Sequence, residues 1–135
     1  MSLPDTNYIL REFLLDQTAI TDLVSKRVYC PRAPENAELP NITFFTRGGV
    51  STPYIPDYAS PSVQIDCWAD DSIEAREIYR ALYDSLQGIQ DETITVGGTD
   101  YLIASAIEEV VGQDLVDTDI PGRFRVLSFW EIIVK

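Results

Sequence analysis

Carboxylates are the only reactive side chains this sequence offers in any number. It contains no histidine, which removes Ser-His-Asp triads, His-ligated metals and the usual general base near neutral pH. Two cysteines, Cys30 and Cys67, stand far apart in sequence and form no zinc knuckle. They read as reduced, buried thiols, with one disulfide as the alternative. The acids close enough to cooperate are Asp66, Asp70 and Asp71, and then Asp117 with Asp119. Oxygen-only groups of this kind can hold Mg²⁺ or Ca²⁺. The run from Asp117 to Gly122 does not fit an EF-hand loop, because Ile120 and Pro121 stand where oxygen ligands are needed. Asp70 and Asp71 have a full explanation as acids at a helix N-terminus, where the dipole favours negative charge. There is no Gly-x-Ser-x-Gly elbow, no phosphate-cradling loop with its lysine and no dinucleotide fingerprint. The expectation is therefore no catalytic residue, no cofactor and no metal site. A carboxylate-metal hydrolase is the weakest reading carried forward.

Asp66 to Asp71 lie in the stretch around which the chain is organised, Pro61 to Gly88. Val63, Ile65 and Cys67 alternate with Gln64, Asp66 and Trp68, the two-residue period of a strand with one buried face. The period then changes to that of an amphipathic helix, with Ala75, Ile78, Tyr79, Leu82 and Leu86 on one stripe. Asp71 suits the N-cap with Glu74 three residues on, and Gly88 suits a left-handed C-cap. Upstream, Pro4 and Asp5 open a helix bearing Tyr8, Ile9, Phe13 and Leu14, and a second short helix carries Ile20, Leu23 and Val24. Val28 and Tyr29 begin an extended segment, and Asn41 to Arg47 read as a strand with Phe44 and Phe45 on opposite, covered faces. Gly48 to Pro61 reads as the longest irregular piece. Its Val50, Tyr54, Ile55 and Tyr58 are too apolar for a solvated loop: either it folds back on its own subunit or it is an arm that orders against a neighbour.

Downstream, Ile94 and Val96 precede Gly97-Gly98, and Tyr101 and Ile103 follow, which predicts a two-residue hairpin with Ile94 facing Tyr101. The second strand is expected to end at Val110 or Val111, followed by an acidic loop over residues 112–122. Phe124 to Val134 is apolar at both parities, as in an interior strand covered on both sides. The fold expected is α+β: a mostly antiparallel sheet of about five strands packed against two N-terminal helices and one central amphipathic helix. Residues 1–135 read as a single domain, and 45% hydrophobic content is enough for a core.

The formal net charge is −12, from 10 basic and 22 acidic residues. Residues 48–75 and 81–122 contain no Lys or Arg, so the clustered cations that tight nucleic-acid binding needs are missing. No apolar run is long enough to span a membrane and the start does not resemble a signal peptide, which makes the cytoplasm the default location. Such a surface suits high solubility, passage of DNA without sticking, or imitation of DNA. An acidic DNA-mimic or inhibitor module is the principal alternative function.

Arg27-Val28-Tyr29 with Pro31 follows two short helices, and Leu39-Pro40 leads into a strand. Val63-Gln64-Ile65-Asp66-Cys67-Trp68-Ala69 then runs to Glu74-Ala75, and Arg123-Phe124-Arg125-Val126 opens a final strand. In these motifs and their order the chain resembles the tail-completion, or tail-terminator, family of long-tailed bacteriophages and prophages. The resemblance implies a structural subunit of the virion tail, made in the host bacterial cytoplasm. That subunit would self-associate, as a hexameric ring, on the tail tube and contact the tube protein and the head–tail connector. Val50, Tyr54, Ile55 and Tyr58 would then be subunit-interface residues, and Asp57, Asp114, Asp117 and Asp119 would line a DNA-repelling lumen.

Overall fold

The computed structural model describes residues 5–31, 33–34, 37–50, 60–116 and 123–134. The elements in order are α1 (Thr6–Leu15), α2 (Thr18–Val24), β1 (Val28–Tyr29), β2 (Asn41–Val50), β3 (Ser60–Ala69), α3 (Ser72–Leu86), β4 (Gln90–Val96), β5 (Thr99–Val116) and β6 (Phe124–Val134). The six strands form one sheet in the order β1-β2-β3-β6-β5-β4. Among the described residues only the β1–β2 pair is parallel, so the mostly antiparallel α+β expectation holds. The strand beyond the expected five is β1, two residues long.

Local signals account for α3. The Asp71 side chain accepts the Ile73 N–H at 3.1 Å, and Glu74 occupies the first turn, satisfying orphan donors and complementing the dipole. Its stripe of Ala75, Ile78, Tyr79, Leu82 and Leu86 is buried on the sheet. The helix stops at Gln87, and Gly88 follows at φ +78°, a conformation that costs glycine little. The hairpin also forms as read: Gly97 and Gly98 both have positive φ, and Ile94 pairs with Tyr101.

All three helices lie on one face of the sheet. Their side chains merge with Phe44, Val63, Ile65, Val126, Trp130 and Ile132 into one buried core. In α1 the buried stripe is Ile9, Leu10, Phe13 and Leu14, while Tyr8 is 54% exposed. Tyr8 thus departs from the expected stripe, because Leu10 takes the place one turn from Leu14.

Three expectations about strand extent and cover are corrected. Gly48 to Pro61 is not wholly irregular: Gly48, Gly49 and Val50 pair with Ser62, Pro61 and Ser60 across a register shift after Thr46. Gly48, at φ +117°, supplies the backbone freedom of that bulge. Pro61 is tolerated because it lies past Ser62, the last β3 residue that β6 pairs. Likewise β5 does not stop at Val111. It runs to Val116, paired with Phe124, through three register shifts. Third, β6 is interior, between β3 and β5, yet only one of its faces is fully buried: Val126, Ser128, Trp130, Ile132 and Val134 face the helices. Leu127, Phe129 and Ile133 on the other face are half-buried, and no helix among the described residues covers them.

Candidate interaction surfaces

Two surfaces stand out, and both follow from where the helices end. The first is the outer edge of the second half of β5. Beyond Ser105, where the β4 pairing stops, an open ladder of N–H and C=O groups would invite strand addition. Helix α3 and the two residues that follow it close the ladder with their own groups. The Gly88 N–H donates to the Ala106 carbonyl at 3.0 Å. The Gln87 Oε1 accepts the Glu108 N–H at 2.8 Å. The Tyr79 hydroxyl accepts the Gly112 N–H at 3.1 Å while donating to the Glu108 carboxylate. Arg76 donates to the Gly112 carbonyl at 3.4 Å and pairs with Asp114 at 3.4 Å. Burial, reinforced by the bond to Glu108, pushes the Tyr79 phenol up to about 12, so the hydroxyl keeps its proton over the ordinary pH range.

With its backbone closed, this edge still presents apolar side chains to water. Val111 (69% exposed) on β5, with Ile73 (68%) and Tyr83 (39%) on α3, is exposed along this edge, whereas the exposed Ile107 and Val110 stand opposite Glu131 and Phe129 and so lie on the other face of the sheet. An open groove between α3 and β5, lined among others by Ile73, Arg80 and Val111, runs through the patch. Isolated exposed apolar residues are ordinary. Three that line one groove mark a candidate contact surface.

The second surface is the uncovered face of the sheet. There Arg47 stacks over Phe129 at 4.2 Å, and Arg123 and Arg125 sit over Trp68 at 5.6 and 5.1 Å. Trp68 donates to the Thr43 hydroxyl at 2.9 Å. Asp66 is buried, paired with Arg125 at 3.6 Å and bonded by Gln64 at 3.3 Å. Desolvation nonetheless raises its pKa, against the pull of Arg125 and Gln64. Asp66 Oδ1, Ser62 Oγ and Arg123 Nε are buried without a partner.

The chemistry-bearing residues are not drawn together. Asp66 points to the uncovered face, and Asp70 and Asp71 are exposed at the start of α3. No group of three His, Cys, Asp or Glu side chains among the described residues could hold a metal ion. Cys67 is fully buried, which raises its pKa, and Cys30 is a free thiol. Of the lumen candidates, Asp114 is a β5 residue paired with Arg76 rather than part of a loop. Val50 ends β2, opposite Ser60. Tyr54, Ile55, Asp57, Tyr58, Asp117 and Asp119 lie outside the described residues. Sequence reading missed the β5 edge. Its signal is the adjacent apolar pair Val110-Val111, which breaks two-residue alternation, together with Ile73 and Tyr83 off the α3 stripe.

Residues 9–117 match the family model described as tail completion protein gp17. No curated protein gives a significant match.

Proposed function

The chain belongs to the tail completion protein gp17 family, and from that premise, a structural protein of the phage tail acting in tail assembly, we propose that it forms a ring on the end of the tail tube. The ring stops tube growth and joins the tube to the head-side connector. The observation that supports this reading best is the apolar edge of β5 and α3, which a solitary subunit in water has no use for. A closed ring needs two unlike surfaces that meet head to tail, and the chain presents an apolar edge and a cation-bearing sheet face. Val50, Tyr54, Ile55 and Tyr58 act in this reading as an arm against the neighbour. Asp57, Asp114, Asp117 and Asp119 face the hole, where a wall of carboxylates repels DNA phosphates and leaves the genome free to pass.

The test is assembly of tail tubes with and without the protein, read by electron microscopy and by sedimentation of the protein with the tubes. Tubes of regular length carrying a terminal ring are expected with it, and overlong tubes without it. Tyr58→Asp should fold normally and fail to bind. A protein that stays strictly monomeric at high concentration beside tubes of unchanged length would remove the proposal. Salt-sensitive capture of a nucleic-acid enzyme would favour the DNA-mimic reading instead.

A further inference from the structure

We infer that the groove between α3 and β5 in one copy of the chain receives residues 51–59 of the next copy. The inference rests on the ring reading above and names the seat of the arm which that reading invokes. Ile73, Val111 and Tyr83 give the groove an apolar lining exposed to water. Its volume of about 530 Å³ falls within the roughly 300–1,000 Å³ of clefts that enclose a ligand. Backbone pairing is closed off there, because α3 and the residues after it already hold the β5 groups at Ala106, Glu108 and Gly112. An occupant must bind through side chains, and a cleft of this width takes a single segment rather than a flat sheet face. Glu77, Asp84 and Glu108 border the groove, so most surfaces of a second copy, in a chain of net charge −12, are repelled from it. The occupant has to be apolar and nearly free of acids. One carboxylate has a place: Arg76 is paired with Asp114, whereas Arg80 has no ion pair among the described residues.

Residues 51–59 have that composition. They hold Tyr54, Ile55 and Tyr58 with one acid, Asp57, and no base. Pro53 and Pro56 restrict the backbone and reduce the freedom that docking must remove. Reach decides whose groove is filled. The segment joins Val50 to Ser60, which are partners across β2 and β3, so both of its ends start from one place. Nine residues that must return to their origin extend no more than about 17 Å from it, at roughly 3.4 Å per residue. Strand β3 runs from Ser60 to Ala69, about 30 Å at roughly 3.3 Å per residue. Ile73 stands in the first turn of α3, just past that far end. The Ile73 end of the groove is therefore beyond the segment of its own copy, and a second copy supplies the occupant. The contact, arm to groove, is heterologous, as a closed ring requires.

Cross-linking in the full chain tests the assignment. In a Cys30→Ser background, which leaves only the buried Cys67, Ile55→Cys and Ile73→Cys are made singly and together. Each is incubated with tail tubes assembled without the protein and treated with a short bismaleimide. The doubly substituted chain should give a ladder of covalent oligomers. An equimolar mixture of the two single variants should stop at dimers, and neither alone should cross-link. Charge exchange adds a second readout. Arg80→Asp and Asp57→Arg should each keep the parent melting temperature and bind tubes about fivefold more weakly. The two together should restore binding to within about twofold of the parent. Rings without a ladder, a cross-link confined to one chain, or no recovery in the doubly exchanged variant would overturn the inference while leaving the ring intact. Absence of any association with tubes by the unsubstituted protein would instead overturn the ring reading on which the inference stands.

Discussion

Tyr79→Phe removes one oxygen atom and should unfasten the closed edge of β5. The ring stays buried against the sheet, since Tyr79 is only 7% exposed, so packing is almost unchanged. Two hydrogen bonds disappear: the one the hydroxyl accepts from the Gly112 N–H at 3.1 Å, and the one it donates to Glu108. A backbone donor left without a partner costs about 1–3 kcal/mol. Easier hydration of Glu108 offsets part of this, so a loss of about 1–2 kcal/mol is expected in urea unfolding. Tyr83→Phe, one turn along and 39% exposed, is the control and should change stability by less than about 0.5 kcal/mol.

The pH dependence sharpens this test. The folded phenol titrates near 12, above its usual 10. A group raised on folding contributes stability that is complete below the unfolded value and is lost as the pH climbs through the folded one. The parent protein should therefore lose stability between pH 10 and 12, and Tyr79→Phe should show a flatter curve over that window. Amide hydrogen exchange adds a residue-specific readout, with Gly112 losing protection in the variant. Equal stability, an unchanged alkaline curve and a still-protected Gly112 amide would refute the idea that this hydroxyl holds the edge closed.

Trp130→Ala should cost about 3–5 kcal/mol and leave the chain largely unfolded by near-UV circular dichroism. Trp130 is fully buried, and its indole N–H donates to Ser128 Oγ, which bonds the Ile65 carbonyl. Gly112→Ala should destabilise by about 1–3 kcal/mol in the same urea assay, because the added methyl would lie 2.8 Å from Tyr79 and Val126 side-chain atoms. Asp71→Ala removes the α3 cap and should cost about 1 kcal/mol. Asp66 is raised above its usual 3.8 by desolvation, so the fold favours its protonated form. Its favourable contribution is complete below 3.8 and fades as the pH rises through the folded value. The stability of Asp66→Asn relative to the parent should therefore improve from pH 3.8 to neutrality. A flat or falling difference would show that Arg125 outweighs burial.

Features written in neighbouring residues were legible before the structure. The cap, stripe and terminal glycine of α3 lie within one stretch, and the Gly97-Gly98 turn fixes the Ile94–Tyr101 register by itself. What failed depended on distant partners. Gly48, Gly49 and Pro61 look like breakers, yet β2 and β3 pair through them because the bulge after Thr46 absorbs the irregularity. Gly112 looks like the end of a strand, but β6 holds β5 straight past it, and the missing side chain makes room for Tyr79. The apolar parity of β6 suggested cover on both sides. It could not reveal that arginines from β2 and from the approach to β6 would lie over the aromatic rings of the second side. Exposure of Val111 and Ile73 was equally hidden, since a sequence does not say which apolar residues find no mate.

The order in which the chain is made bears on the seal between α3 and β5. Residues 72–88 leave the ribosome before residues 99–116, so the groups that quench the vulnerable margin exist before that margin is synthesised. The nascent polypeptide thus carries its own guard against sticking to its siblings. A circular permutant that places residues 72–88 last should precipitate during translation far more than the parent does. Comparable soluble yield from the two would show that timing gives no protection.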